Sequence, residues 1–400
     1  MVGDGALPET LAGRTIVLGI TGSIAAVRTI ELAHELIRRG AVVQAVMTES
    51  AQRVIHPDAI ECATGRPPIT QWTGRVPWVA YCGDVGVGDG GIGSAADLLL
   101  IAPCTASTIG KITHAIPDTL VTIFATTAIG AGLPVVIAPA MHESMYSPLV
   151  RGNLDVLRQH GVVVVGPVIE EGKAKIAETT DIVRWVEQAL SDASLAGMRV
   201  LITGGATAEP IDPVRMITSR ASGKMGVALA HEAFRRGADV TLVHRGNVRF
   251  SGISEIYVET ARKMTDAVLS ELEADRGYDL MISAAAISDY TLDPSDSKIP
   301  SGSQLTLTLR PTEKLLEAVR NQHPDLVVVG FKLETEPGDA LFRCAKEAMD
   351  RYGLDMIVAN TAGNLGGDEG EVWIISKNNV RHVRGTKDMV AGAIFDRVIT

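Results

Sequence analysis

The segment ELAHELIRRGAVV at 31–43 returns in altered form as ALAHEAFRRGADV at 228–240. Each copy follows an apolar run that ends in a glycine-bearing turn, RTIVLGITGS in the first half and RVLITGG in the second. Within each copy the apolar residues fall on one helical face, and a new apolar run begins after the glycine. Strand, turn, amphipathic helix and strand make a βαβ unit, which requires a parallel sheet with helices over its faces. Short apolar runs keep alternating with helical periodicity in both halves. The expected fold class is therefore α/β, with two doubly wound, mostly parallel-sheet domains. The small-residue stretch SDASLAG (191–197) follows the helical run DIVRWVEQAL and marks the boundary, so the domains are expected at 1–190 and 191–400. GDVGVGDGGIGS (83–94) reads as an irregular loop inside the first domain, and QLTLTLR (304–310) reads as a strand of the second.

Charge narrows the function classes. Lys and Arg number 37 against 47 Asp and Glu, a net charge of −10. That balance argues against a general nucleic-acid partner or an anionic membrane surface. An anionic ligand must instead be held by local loops and helix N-termini. The chain opens without a basic stretch leading into an apolar core, and its apolar runs are too short to span a bilayer, so a cytoplasmic location is expected. Cys62, Cys82, Cys104 and Cys344 are scattered with no CxxC pair, which predicts neither a disulfide framework nor a resident metal site.

In open α/β sheets ligands bind beyond the carboxyl ends of the strands, so polar residues there are the first candidates. The first half offers three such ends: Thr21-Gly22-Ser23, the run APCTAST through Thr105 and Ser107, and APAMHESM with Met141 and His142. Hydroxyls and backbone N–H groups at helix starts can hold a phosphate without net positive charge, although TGS alone also serves as a simple helix cap. None of these turns has the GxGxxG spacing of a dinucleotide site.

These segments resemble the flavin-dependent phosphopantothenoylcysteine decarboxylases of the homo-oligomeric flavin-containing Cys decarboxylase family. TGSIAAVRTIEL is similar to that family's FMN loop, APCTAST to its PASANT motif, and APAMHESMY to its PAMNxxMW motif. The resemblance implies FMN with its phosphate near Gly22, Ser23 and Thr48 and its ring system near Thr105 and Ser107. It implies substrate contacts from Ser107, Met141 and His142. The segment EEGKAKIAE (170–178), with Lys173, takes the place of the substrate flap, in a form similar to archaeal members. Two positions depart from the pattern: Trp78 stands where the family has its catalytic His, and Ser107 where it has Asn. No His occurs between 57 and 113, which leaves His142 as a substitute base or as a polar lid residue.

The segment ITGGATAEPIDPVRMITSRASGKMG (202–226) carries more information. A strand runs into Gly204-Gly205, a proline-stiffened loop follows, and Ser222-Gly223-Lys224 opens a helix, an arrangement suited to an anion. It resembles the phosphopantothenate–cysteine ligase motif over nearly its whole length. Further resemblances follow in order: AAAISDY with Asp289, SKIPSG with Lys298, GFKLE with Phe331, and VANT with Asn360. They imply a CTP site, served by Mg²⁺, that uses Gly204, Asp289, Lys298, Phe331 and Asn360. They also imply 4′-phosphopantothenate contacts from Arg215 and Lys224, and catalytic roles for Lys298 and Ser219. Ser219 stands where the family has Asn, Thr361 where it has Asp, and Tyr352 where it has Lys. The resemblance covers about residues 12–385 and implies coenzyme A biosynthesis by cysteine ligation and then decarboxylation. It also implies a homo-oligomer, trimeric in its flavin domain and dimeric in its ligase domain. The alternative is an active ligase whose first domain binds flavin or oligomerises without catalysis.

Overall fold

Thr15–Ile20 and Leu98–Cys104 are buried from end to end. Runs apolar on both faces suit only the middle of a covered parallel sheet. The structure, a computed structural model, describes residues 9–74, 76–82, 95–248, 250–274, 276–302, 304–334, 338–361 and 366–399. The loop expected at 83–94 lies outside the described residues. The chain divides into two compact units, 1–191 and 192–400.

In the first unit β1 (Thr15–Ile20) passes through a 3-10 turn (Ile24–Arg28) into α1 (Thr29–Arg38) and β2 (Val42–Met47). Helices α2 (Glu49–Gln52), α3 (Pro57–Thr64) and α4 (Pro77–Cys82) precede β3 (Leu98–Cys104), α5 (Ala106–Thr113), α6 (Leu120–Gly130) and β4 (Val135–Pro139). The chain then forms β5 (Met141–His142), α7 (Pro148–Gln159), β6 (Val163–Val164), β7 (Val168–Glu170), β8 (Lys173–Lys175) and α8 (Thr179–Ala189). The main sheet is parallel in the order β2-β1-β3-β4-β6, and β5-β8-β7 form a small antiparallel sheet. Alternate residues of one strand enter different cores. Ile16, Leu18, Leu98 and Leu100 pack with Leu32, Leu36, Ile60 and Val183, whereas Val17, Leu99 and Ile101 pack with Ile109, Phe124 and Leu154. Each such fully buried Leu or Ile contributes about 1.5–3 kcal/mol. The chain leaves β1 toward β2 on one side and later returns to β3 on the other. The switch point therefore falls between the carboxyl ends of β1 and β3.

The second unit runs β9 (Arg199–Gly204), β10 (Ala208–Pro210), β11 (Met216–Thr218), α9 (Lys224–Arg235), β12 (Asp239–His244), β13 (Ser254–Tyr257), α10 (Ala261–Glu273) and β14 (Leu280–Ser283). It continues with β15 (Tyr290–Thr291), β16 (Arg310–Pro311), α11 (Leu315–Gln322), β17 (Val327–Glu334), α12 (Asp339–Tyr352), β18 (Met356–Thr361), β19 (Glu369–Ser376), β20 (Asn379–Thr386) and α13 (Lys387–Ile399). Its eight-stranded sheet, in the order β13-β12-β9-β14-β17-β18-β19-β20, is parallel except for the last two strands. The switch point lies between β9 and β14. One face packs on α10, α11 and α12 through Met264, Val319, Leu341 and Ala345, while α9 packs on β9 and α13.

One sequence expectation fails. QLTLTLR does not form a strand: 304–309 carry no regular structure, and only Arg310–Pro311 pair, with Tyr290–Thr291. Alternation marks a segment that could lie on a sheet, but without a partner edge the backbone has no ladder to join.

Candidate active sites

The three expected strand ends of the first unit meet at its switch point. Thr21 Oγ1 donates to Pro103 O at 2.7 Å and accepts from Thr105 N at 3.1 Å, tying the end of β1 to the end of β3. Beside this tie lies a cavity of about 410 Å³ whose wall includes Gly22, Ser23, Thr48, Thr105, Ser107 and Met141. Four of its wall residues cap helices. Ser23 accepts from Ala25 N, Thr48 from Ala51 N, Thr105 from Thr108 N, and Thr119 from Thr122 N within a capping box. The positive ends of four helical segments are thus brought to one cavity, which favours an anion. Gly22 passes so close to Ser50 that a Cβ would lie 2.4 Å from its Oγ, so the loop after β1 is pressed onto the Thr48 cap. Among the described wall residues Lys111 is the one charged side chain, and it pairs with Asp118 at 2.8 Å. Lys111 and Thr119 were missed from sequence. Thr119 had a readable signal, a threonine before an apolar run with a second hydroxyl three residues on.

Three residues expected at this site are not among the described residues of the cavity wall. Trp78, on α4, packs partly buried against the core and meets Trp72 edge-on at 5.3 Å between centroids. His142 is exposed, and its Nδ1 sits 2.7 Å from Ser144 Oγ, capping the turn Glu143–Met145. Lys173 lies opposite His142 across the β5–β8 ladder and is also exposed. Met141, paired with Ala174, joins that small sheet to the cavity wall.

In the second unit Ala284–Asp289 runs along the loop that follows β9. Ala286 N donates to Gly205 O at 2.8 Å, and Ser288 N to Thr207 Oγ1 at 2.8 Å. Next to this seam lies a cavity of about 400 Å³ with Gly205, Lys224, Asp289, Phe331 and Asn360 in its wall. Gly204 acts one residue behind it. A Cβ on Gly226 would lie 2.7 Å from Gly204 Cα, so α9 starts in backbone contact with β9. Gly223 and Gly205, at φ 78° and 77°, adopt the left-handed conformation that glycine accepts at no steric cost.

The cavity carries more positive charge than its motifs suggested. Lys332 and Lys387 join Lys224 in the wall. Lys224 Nζ bonds Asp368 Oδ1 at 2.5 Å, Lys332 pairs with Glu334 at 3.0 Å, and Lys314 pairs with Asp289. Burial, and then the neighbouring Lys224, push the Lys387 ammonium below the usual lysine range. Lys298, Ser219 and Arg215 are outside this wall. Lys298 and Ser219 are exposed, and Ser219 Oγ accepts from Ala221 N at 3.4 Å. Arg215 bonds Asp212 and the carbonyl of Ile299.

Both units match known families. The model named Flavoprotein matches residues 5–191, and that for the DNA/pantothenate metabolism flavoprotein C-terminal domain matches residues 195–400. The chain thus couples a flavoprotein unit to a pantothenate-metabolism unit. The coenzyme A biosynthesis bifunctional protein CoaBC of Thermococcus kodakarensis is 44% identical over 393 residues, 97% of this chain and 95% of that protein. The protein of the same name from Methanocaldococcus jannaschii is 34% identical over 401 residues, 98% of this chain and 95% of its own length. A crystal structure of the C-terminal domain of a CoaBC protein is 29% identical, covers 52% of this chain and 97% of its own, and has a TM-score of 0.44. The chain belongs to the CoaBC family.

Proposed function

We propose that this chain is a bifunctional enzyme of coenzyme A biosynthesis. Its second unit joins cysteine to 4′-phosphopantothenate with CTP and Mg²⁺, and its first unit decarboxylates the product with FMN. The observation that carries this reading is a pair of anion-suited cavities, each at the switch point of its own sheet. One is walled by helix-capping hydroxyls and the other by Lys224, Lys332 and Lys387. The family pattern extends the proposal to a cytoplasmic homo-oligomer, trimeric through the flavin unit and dimeric through the ligase unit.

In the ligase unit the carboxylate of 4′-phosphopantothenate attacks the α-phosphorus of CTP and displaces pyrophosphate. The amine of cysteine then attacks the acyl carbon and displaces CMP. Charge grows on the phosphate oxygens in the first step, and the ammonium groups of Lys224, Lys332 and Lys387 in the cavity wall are placed to offset it. Lys298 is the residue proposed to meet the α-phosphate, Ser219 the acyl-nucleotide, and Phe331 and Asn360 the base. Mg²⁺ would enter on the triphosphate. In the flavin unit the hydroxyl-lined cavity fits a phosphorylated ligand, with Ser23 and Thr48 toward the phosphate and Thr105 and Ser107 toward the ring. FMN, when bound there, supplies the two-electron oxidation that lets the substrate carboxylate leave as CO₂, and it returns the electrons afterwards. Incubation with 4′-phosphopantothenate, cysteine, CTP and Mg²⁺ is expected to release CMP and pyrophosphate in a cysteine-dependent way. Absence of that dependence refutes the ligase assignment.

Trp78 and Ser107 favour a second reading, in which the first unit holds flavin without turning over. An indole has no lone pair available to accept a proton, and a positioned base ordinarily contributes about 10²–10⁴-fold. Sustained CO₂ release from phosphopantothenoylcysteine eliminates this reading.

A further inference from the structure

Lys298 is exposed, yet the residue after it is held through both its N–H and its carbonyl. Ile299 donates its N–H to Asp212 Oδ2 at 3.1 Å, and its carbonyl accepts from Arg215 Nη2 at 2.5 Å. The Asp212 side chain is 0% exposed. Its Oδ1 accepts from Val214 N and Arg215 N, both at 2.8 Å. Its Oδ2 also accepts from Arg215 Nη2 at 2.6 Å and Nε at 3.0 Å. Upstream of Lys298, Ser295 N donates to Ile211 O at 2.9 Å. The segment bearing Lys298 is therefore stapled at both ends to one turn, Ile211–Arg215, which itself lies between β10 and β11. Burial alone would raise the Asp212 pKa, but the donors from Val214, Arg215 and Ile299 outweigh it and hold the carboxyl well below the usual range. The staple stays ionised throughout the neutral range.

We propose that Asp212 and Arg215 are positioning residues for Lys298: the ion pair between the buried Asp212 and the partly exposed Arg215 fixes the Ile299 backbone and so sets where the Lys298 ammonium can reach. This rests on the ligase reading of Lys298. It also gives Arg215 a partner within the chain, since Nε and Nη2 are already committed and only Nη1 lies outside these contacts. A lysine on an unanchored loop would have to be ordered at each turnover, whereas a stapled loop enters the reaction with that ordering done.

The test is a double-mutant cycle on the full chain with Asp212→Asn and Lys298→Ala, reading pyrophosphate release with 4′-phosphopantothenate, cysteine and CTP. Asp212→Asn is expected to lower kcat by about 10–100-fold, the range set by displacing a catalytic group by about 1 Å. KM for CTP should stay within about 3-fold, because the cavity wall that holds the nucleotide is untouched. Amide exchange at Ile299 should accelerate. In the Lys298→Ala background the same substitution should change the rate by less than about 2-fold, because its effect has no further route. Multiplying effects, an unchanged kcat, or unchanged exchange at Ile299 each overturns the proposal. A wild-type rate in Lys298→Ala alone removes the ligase role of Lys298 and the positioning role with it, and that failure is visible in the single variant. If Asp212→Asn does not fold, Arg215→Lys carries the same cycle, since it keeps the charge and loses the fork.

Discussion

Replacing Gly226 by alanine places one carbon where two backbones already touch, 2.7 Å from Gly204 Cα. Carbon atoms settle at roughly 3.5–4.0 Å, so the start of α9 must retreat from β9 by about 1 Å. Two effects compete in stability. Alanine gains about 1 kcal/mol over glycine in a helix, whereas overpacking costs about 1–3 kcal/mol. The net is a loss of about 0–2 kcal/mol, or a fall in Tm of about 0–8 °C for a unit of this size. The functional effect is larger than the stability effect. Helix α9 begins at Lys224, so the retreat carries that ammonium and the neighbouring cavity wall with it. Misplacement on this scale lowers a catalysed rate by up to about 10²-fold. Calorimetry and CMP release measure the two effects separately. Gly152→Ala is the control, a helical glycine with nothing within 4 Å of its would-be Cβ, and it should raise stability by about 0.5–1 kcal/mol. A Gly226→Ala protein with unchanged Tm and wild-type CMP release refutes the claim that this backbone contact sets the cavity wall.

Three further outcomes are expected. Lys387→Met should raise the KM for CTP and flatten its salt dependence, both read by steady-state kinetics. The folded pKa of Lys387 lies below its unfolded value, so the folded protein releases this proton first. The destabilisation at this position is present below the folded pKa and is relieved as pH rises from there toward the ordinary lysine range. Denaturant titrations of the methionine variant should lack that rise. Burial pushes the Cys82 thiol up to about 12 and raises that of Cys104 as well, while Cys62 is exposed. A thiol reagent at pH 8 should therefore label Cys62 in the folded protein and reach Cys82 and Cys104 only after unfolding. Thr119→Ala removes the bond from Thr122 N to the Thr119 hydroxyl and leaves the reciprocal bond from the backbone N–H of residue 119 to Thr122 Oγ1, which should cost about 1 kcal/mol and weaken FMN binding measured by flavin fluorescence.

The ligand loops were legible because their signals are local. Ser23, Thr48 and Thr105 each stand between an apolar run and a helix start, and a capping hydroxyl needs only its own next two or three residues to be recognised. The glycines at 204, 223 and 226 were equally readable as a strand end and a helix start. The four-helix convergence on one cavity was not readable in this way. Thr119 and Lys111 reach that cavity only because β3 lies beside β1, and no local pattern reports which strands are neighbours. QLTLTLR erred for the complementary reason: it alternates like a strand but has no edge to pair with.

The sequence by itself determined the class of fold, through the doubled strand–turn–helix–strand pattern. Its charge balance also required that any anion be held by local groups. Only the tertiary structure decided which groups those are. Lys387 opens the last helix of the chain and Lys332 sits on a strand far from Lys224, yet the order of strands from β9 to β18, closed by the β19–β20 hairpin, sets all three in one wall. Asp212 and Arg215 lie within the ligand motif, and only the fold shows that they also bond the Ile299 backbone, next to Lys298. Helix and strand propensity act over a few residues, while a binding wall is assembled by packing across the whole unit, where sequence separation carries no weight.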